Sequence, residues 1–290
     1  MIKENKFFFF GFGQTAKYFI EELIHSKIKF KFCATNTKKT NISYFKKRKF
    51  TSFKFQDDKF DVNLLKKLSE ANFILVSIPP KKKKDLVLQN FKDHLKKIKF
   101  KKIIYLSATS VYGNHNGKWV NENSKLKGRT IFGLQRKIVE KEWFKIGKEH
   151  NLDINILRVS GIYSKENNVL KKIQKKPIFV KEKKYFSRIR VEDLALIVKK
   201  LFFSSSRSLI LNASDDEPAS NIDVAIYAAK LLKINSIQPV SITSFKNKFI
   251  KEFYKDSKKV SNKRMKNKLK IRLKYPTYKQ GLKNIINNFT

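Results

Sequence analysis

The 290 residues carry 66 Lys plus Arg against 24 Asp plus Glu, a formal net charge of +42, with 41% hydrophobic residues. That apolar share can fill a sizeable core and argues against a disordered chain. Apolar runs as short as residues 7–10 cannot span a bilayer, and the start lacks a signal-peptide arrangement, so a soluble cytoplasmic protein without a membrane partner is the expectation. Cys33 is the only cysteine, which rules out an internal disulfide. The lysines run from end to end beside an excess of Phe, Ile, Asn and Tyr, the joint bias of AT-rich coding, although residues 81–84 and 258–272 are denser. Nucleic-acid binders concentrate charge on one face or arm, so no specific nucleic-acid partner is expected, only charge-driven sticking at low salt.

Strand-like and helix-like segments alternate through the first half, which predicts an α/β fold with a doubly wound, Rossmann-type parallel sheet. Residues 7–10 read as a strand and 14–25 as a helix with Ala16, Phe19, Ile20 and Leu23 on its apolar side. A strand is expected over 28–33, a short one near 53–55, and a helix around Leu64 and Leu65 capped by Asp61. A strand over 73–78 ends at Pro79 and Pro80, followed by a helix over 85–97, a strand over 103–106, a long helix over 131–149 and a strand over 154–159. Beyond Gly161 the pattern loosens into a loop at 164–168, a short helix over 169–175 and a polar strand or loop over 179–190. A helix over 191–203 opens with Glu192 and Asp193, a strand that returns to the sheet is expected at 209–212, and a helix covers 221–232. The expected division is a dinucleotide-binding domain over 1–164 and a smaller, interleaved substrate-side region over 165–290.

Between the first strand and helix lies GFGQTA. Gly11 permits a tight turn, Gly13 allows backbone to approach a pyrophosphate, and Ala16 is small enough for close helix packing. Free amides of Gln14, Thr15 and Ala16 would hold the phosphate at the positive end of the helix. At the end of the second strand, where a carboxylate would accept the ribose 2′-hydroxyl of NAD, stand Thr35, Asn36, Thr37, Lys38 and Lys39. These hydrogen-bond or neutralise a 2′-phosphate, so NADP is favoured over NAD.

The series GFGQTA, SIPP, LSATSVYG, LRVSGIY, FSRIRVEDLA and LNASDDEP resembles, in order and spacing, the extended short-chain dehydrogenase/reductase family, the NAD-dependent epimerase/dehydratase group. It is most similar to an atypical branch with a tryptophan in the long helix, here Trp143, and a late VSN segment before a Tyr-Pro pair, here Val260 to Asn262 and Tyr275 with Pro276. The resemblance implies an NAD(P)-linked oxidoreductase or epimerase acting on a small molecule, with Ser77, Pro79 and Ser107 beside the cofactor. It also implies pairing through the long helix, hence a homodimer.

The family's proton machinery is a Ser or Thr four residues before the tyrosine of VYG, with a Tyr-x-x-x-Lys pair. Those positions hold Ala108, Phe132 and Arg136. Phenylalanine has no proton to give and arginine stays charged, though Arg136 can still bind a cofactor ribose or phosphate. Two readings remain. A substitute group among Ser107, Thr109, Ser110, Tyr112, His115 and Tyr163 restores turnover, with Thr109 and Tyr112 best placed; or the protein binds a dinucleotide without turning it over, as a redox or metabolite sensor. Glu122, in the loop that follows VYGN and carries His115, either acts as an acid or base or steadies the next helix. Arg188 and Tyr163 are the substrate-side candidates, Arg188 either clamping an anion or bridging to Glu192 or Asp193. Asp215, Asp216 and Glu217 form an acidic cluster read as a turn that could also hold a cation or a basic segment. His25, His94, His115 and His150 lack metal-ligand spacing, so no metal site is expected.

Overall fold

The computed structural model describes residues 4–174, 179–235 and 237–287. The first strand, β1 (Asn5–Phe10), contains four phenylalanines in succession, each no more than 2% exposed. Successive side chains alternate across it. Phe7 and Phe9 meet Phe19 of α1 (Gln14–His25), while Phe10 meets Phe91 on the opposite face. An unbroken apolar run therefore marks a strand covered on both faces.

The chain continues through β2 (Phe30–Asn36), β3 (Asn41–Phe45), β4 (Arg48–Gln56), β5 (Lys59–Phe60), α2 (Asn63–Ser69), β6 (Phe73–Val76) and α3 (Leu86–Lys97). Next come β7 (Lys102–Ala108), a 3-10 turn (Thr109–Tyr112), β8 (Trp119–Val120), α4 (Ile131–Glu149), β9 (Ile154–Val159), β10 (Gly161–Tyr163) and α5 (Val169–Ile173). The remainder holds β11 (Phe179–Val180), β12 (Arg188–Arg190), α6 (Val191–Phe202), β13 (Ile210–Ala213), α7 (Asn221–Leu231), β14 (Pro239–Val240), α8 (Lys248–Phe253), β15 (Lys259–Val260), α9 (Lys263–Leu269) and α10 (Tyr278–Asn287).

The main sheet runs β13, β9, β7, β6, β1, β2, β4, β3, with β5 also paired to β4. β4, β2, β1, β6 and β7 are parallel neighbours, whereas β3 and β5 pair antiparallel with β4. From β1 the chain first winds outward through β2 and β4, then returns to lay β6 and β7 on the other side. The order thus reverses between β1 and β6, the topological switch point of a doubly wound sheet.

Some boundaries differ from the sequence expectation for local reasons. The second strand starts at Phe30 because Ile28 closes the end of α1, its amide donating to the Leu23 carbonyl while Lys27 turns the chain at φ 53°. The β3–β4 hairpin was not expected; its tip is Lys46 and Lys47, both at positive φ, in place of the usual Asn or Gly. The helices α8, α9 and α10 were likewise not expected. Lys175, the anticipated end of the fifth helix, lies outside the described residues.

The chain divides into two compact units: Met1–Ser107, Gln135–Leu157 and Leu194–Ile210 form the first, and Ala108–Leu134, Arg158–Asp193 and Leu211–Thr290 the second. Within the first, buried Lys102 donates to the Leu201, Ser204 and Ser206 carbonyls at 3.0, 2.8 and 2.8 Å, closing the end of α6. The second has its own core, where Leu170 of α5, Ala225 and Ala228 of α7 and Leu282 of α10 pack together. No helix among the described residues is long and apolar enough to cross a membrane.

Asp85 ties two helices of the first unit together. One carboxylate oxygen caps α3 by accepting from the Val87 and Leu88 amides at 2.9 and 3.0 Å, and the other accepts from Trp143 Nε1 of α4 at 3.2 Å. Burial pushes its pKa from 3.8 up to about 6. Since the folded state holds this proton more tightly than the unfolded one, Asp85 weakens stability as pH rises from about 4 to 6, by about 3 kcal/mol, and adds no slope beyond. Urea unfolding of the unaltered protein and of Asp85→Asn should therefore show a stability difference that shifts against the unaltered protein across that window. A difference that does not move with pH would contradict this role.

Candidate functional site

The switch point is built around Gly11. It sits at φ +91°, and a Cβ there would lie 2.8 Å from Ser77 Oγ. Its amide donates to Thr35 Oγ1 at 2.9 Å, and Ser77 Oγ lies 3.0 and 3.2 Å from the Phe10 and Gly11 carbonyl oxygens. The ends of β2, β1 and β6 are thereby fastened to one turn. Thr35 is buried, so its hydroxyl shapes the turn.

Gly13 precedes α1 in extended backbone, and a Cβ placed on it would meet nothing within 4 Å. Its own packing does not demand glycine, but the bare position leaves open space at the helix start. α1 has no side-chain cap, so the amides of its first turn, Gln14, Thr15 and Ala16, face that space without one. Ala16 is fully buried, where a larger side chain would displace the helix.

Beyond β2, Asn36 organises the next loop. Its Oδ1 accepts from the Lys38 and Lys39 amides at 2.7 and 3.1 Å, and its Nδ2 donates to Ser52 Oγ at 2.8 Å. Thr37 and Lys38 are exposed, as is Pro79 beyond β6. Uncapped amides, a sterically open glycine and a cationic loop fit a dinucleotide in charge and shape.

Two residues of α4 grip the end of β7. Arg136 Nη1 donates to the Leu106 carbonyl at 2.8 Å, and one turn later the buried Glu140 accepts from Ser107 Oγ at 2.5 Å. Arg136 therefore stands where the resemblance places lysine but spends a hydrogen bond on backbone. Glu140 was not singled out from the sequence; its signal was the i, i+4 spacing from Arg136.

In the second unit, the 3-10 turn after Ala108 separates the expected hydroxyls. Tyr112 is fully buried, donating to Asn212 Oδ1 at 2.7 Å and accepting from Arg158 Nη1 at 3.0 Å. Burial raises its pKa, against the lowering effect of Arg158. Such a phenol holds the interior together and is not open to a substrate, which corrects its placement beside Thr109. Thr109 is half-buried, whereas Ser110 Oγ is buried without a hydrogen-bond partner among the described residues. Phe132 is 50% exposed and lies 6.2 Å from the Phe249 ring, centroid to centroid. His115 lies in the surface loop, 3.2 Å from the Lys125 carbonyl, and Glu122 accepts from the Asn212 amide at 2.9 Å.

Arg188 bridges neither Glu192 nor Asp193. It donates to the Phe186 and Ala219 carbonyls at 2.9 Å each and to Asn221 Oδ1 at 2.5 Å. Arg190 takes the ion pair with Glu192, at 2.6 Å, while Asp193 accepts from the Lys274 and Tyr275 amides at 2.6 and 2.8 Å. Asp216 and Glu217 hold the chain's own basic end through Lys266 at 2.6 Å and Lys279 at 2.5 Å. Asp215 is buried, and neither carboxylate oxygen has a hydrogen-bond partner among the described residues. Burial raises its pKa well above the usual range despite the nearby charge of Arg188. The Tyr163 hydroxyl is also buried and unpartnered among them, packed against Gly281. No cluster of three potential metal ligands occurs among the described residues.

No protein-family model and no curated protein matches the chain. Solved structures do. A functionally unknown conserved protein from Silicibacter pomeroyi DSS is 26% identical with a TM-score of 0.85, over 98% of this chain and 99% of that one. A dTDP-glucose 4,6-dehydratase from Bacillus anthracis, solved with NAD, is 14% identical with a TM-score of 0.76, over 98% and 96%. A UDP-N-acetylglucosamine 4-epimerase from Bacillus cereus is 14% identical with a TM-score of 0.74, over 97% and 98%. The chain has the Rossmann-like α/β fold of these epimerase and dehydratase structures.

Proposed function

We propose that the first unit binds a nicotinamide dinucleotide, NADP in preference to NAD, and that the protein is a cytoplasmic NADP-linked oxidoreductase or epimerase with a non-standard catalytic set, acting on a small molecule. The observation that carries this reading is the open, uncapped start of α1 beside Gly13 at the switch point. The α1 amides would hold the pyrophosphate, and Thr37 with Lys38 would face the adenosine ribose. The bound cofactor would supply hydride transfer. The chain must supply a proton, and Thr109 is the candidate hydroxyl, since Tyr112 is committed to Asn212 and Arg158.

A second reading, binding without turnover as a redox or metabolite sensor, draws support from three residues. Ala108 and Phe132 carry no exchangeable side-chain proton, and Arg136 is fixed to the Leu106 carbonyl.

Calorimetric titration should give saturable binding of NADPH and NADH, tighter for NADPH. Gly13→Asp, which puts a carboxylate where the pyrophosphate would lie, should weaken both by roughly 100-fold, about 2.7 kcal/mol. Binding of neither cofactor to the unaltered protein would end the dinucleotide reading. For turnover, NADPH consumption with a panel of aldehydes, ketones and nucleotide sugars should be detectable and should drop at least roughly tenfold in Thr109→Val. Tight binding with no panel member consumed would favour the sensor.

A further inference from the structure

Residues 81–84, all lysine, form a closed turn just beyond β6. The Lys81 and Lys84 backbones exchange two hydrogen bonds of 3.0 Å each, and Lys82 and Lys83 occupy the tip at φ 49° and 64°. Two successive residues at positive φ are the geometry that Asn-Gly adopts with least strain, and lysine is a poor choice for it. All four residues are exposed.

Strand direction places this turn. β1, β2, β4 and β6 are parallel, so Gly11, the loop with Lys38, Asp57 and Ser77 all follow strand ends at the same edge of the sheet. Lys81 Nζ meets Asp57 Oδ1 at 2.6 Å, which draws the turn towards the end of β4, on the far side of β1 and β2 from β6. That pair occupies Lys81. Among the described residues no ion pair engages Lys38, Lys82 or Lys83. The chain provides its own comparison, a second lysine turn away from this edge. Lys46 and Lys47 form the other Lys-Lys tip, at φ 48° and 60°, but they precede β4 and so sit at the opposite edge.

We propose that the turn at residues 81–84 is a phosphate-holding arm, in which Lys82 and Lys83 engage the 2′-phosphate of an NADP-type dinucleotide whose pyrophosphate lies at Gly13. The proposal rests on the dinucleotide reading above and adds a second cationic arm to the Lys38 loop. Two loops flanking one phosphate supply charge without base or sugar contacts, so the arm selects by phosphate and not by nicotinamide.

Three proteins test it: the unaltered chain, Lys82→Asn with Lys83→Gly, and Lys46→Asn with Lys47→Gly. Both variants remove the same formal charge and the same backbone strain, and the second also removes the exposed Lys46–Glu21 ion pair of 3.1 Å, which contributes little, so each should fold. Only the first should lose NADPH affinity, by roughly tenfold, with NADH affinity changed less than about twofold and a shallower salt dependence of NADPH binding. Unchanged NADPH affinity in the first variant, equal losses for NADPH and NADH, or the same loss in the second variant would each overturn the arm while leaving dinucleotide binding intact. If the unaltered chain binds neither cofactor, the dinucleotide reading fails and the arm falls with it.

Discussion

Gly11 is held from both sides, and the candidate site depends on that. Its amide is tied to Thr35 of β2 on one flank, and its carbonyl receives Ser77 beyond β6 from the other. A side chain there would collide with Ser77 and force a positive-φ residue out of its turn. Because the three strands are parallel and their order reverses at this point, fixing one residue aligns three strand ends and aims the start of α1 into the crevice. The phenylalanine packing beneath gives that alignment a rigid base: Phe7 to Phe10 are locked among rings from helices on both faces.

The same sheet edge shows where the chain departs from the proton chemistry its motifs suggest. α4 approaches the end of β7 with Arg136 and Glu140, one turn apart, and both make hydrogen bonds to the strand end. That is a clamp. A guanidinium bound to a carbonyl and a carboxylate bound to a serine hold the strand, whereas lowering the pKa of a phenol would require a phenol, and Phe132 is an exposed ring. The Rossmann-like frame is present, while residue 132 offers no proton donor, which is why dinucleotide binding and turnover have to be tested separately.

Much of the frame could be read from residue order. The unbroken apolar runs within β1 and β6 signalled strands covered on both faces, and glycines between a strand and a helix marked the phosphate-binding turn. What escaped has physical causes. The β3–β4 hairpin turns on Lys46 and Lys47, whose positive φ carries none of the usual Gly or Asn signature. Tyr112 looked like a site residue because it follows a strand end, yet the 3-10 turn rotates it into the interior, a reversal that spacing does not reveal. Arg188 and Arg190 are two residues apart on β12 and so share a face of the strand, and neither strand periodicity nor the neighbouring acids in sequence gave a means of choosing which meets Glu192. The acidic turn at Asp215 is a split case: Asp216 and Glu217 secure the basic chain end, an option visible beforehand, while the unpartnered burial of Asp215 was not.

The central claim is that the turn after β1 receives the phosphates of a nicotinamide dinucleotide. Amide hydrogen–deuterium exchange on the full chain, with and without saturating NADPH, addresses it directly. The account predicts that added NADPH slows exchange most strongly in peptides covering residues 11–16, with weaker protection over residues 36–39. Unchanged exchange at residues 11–16 in the presence of bound NADPH would contradict it.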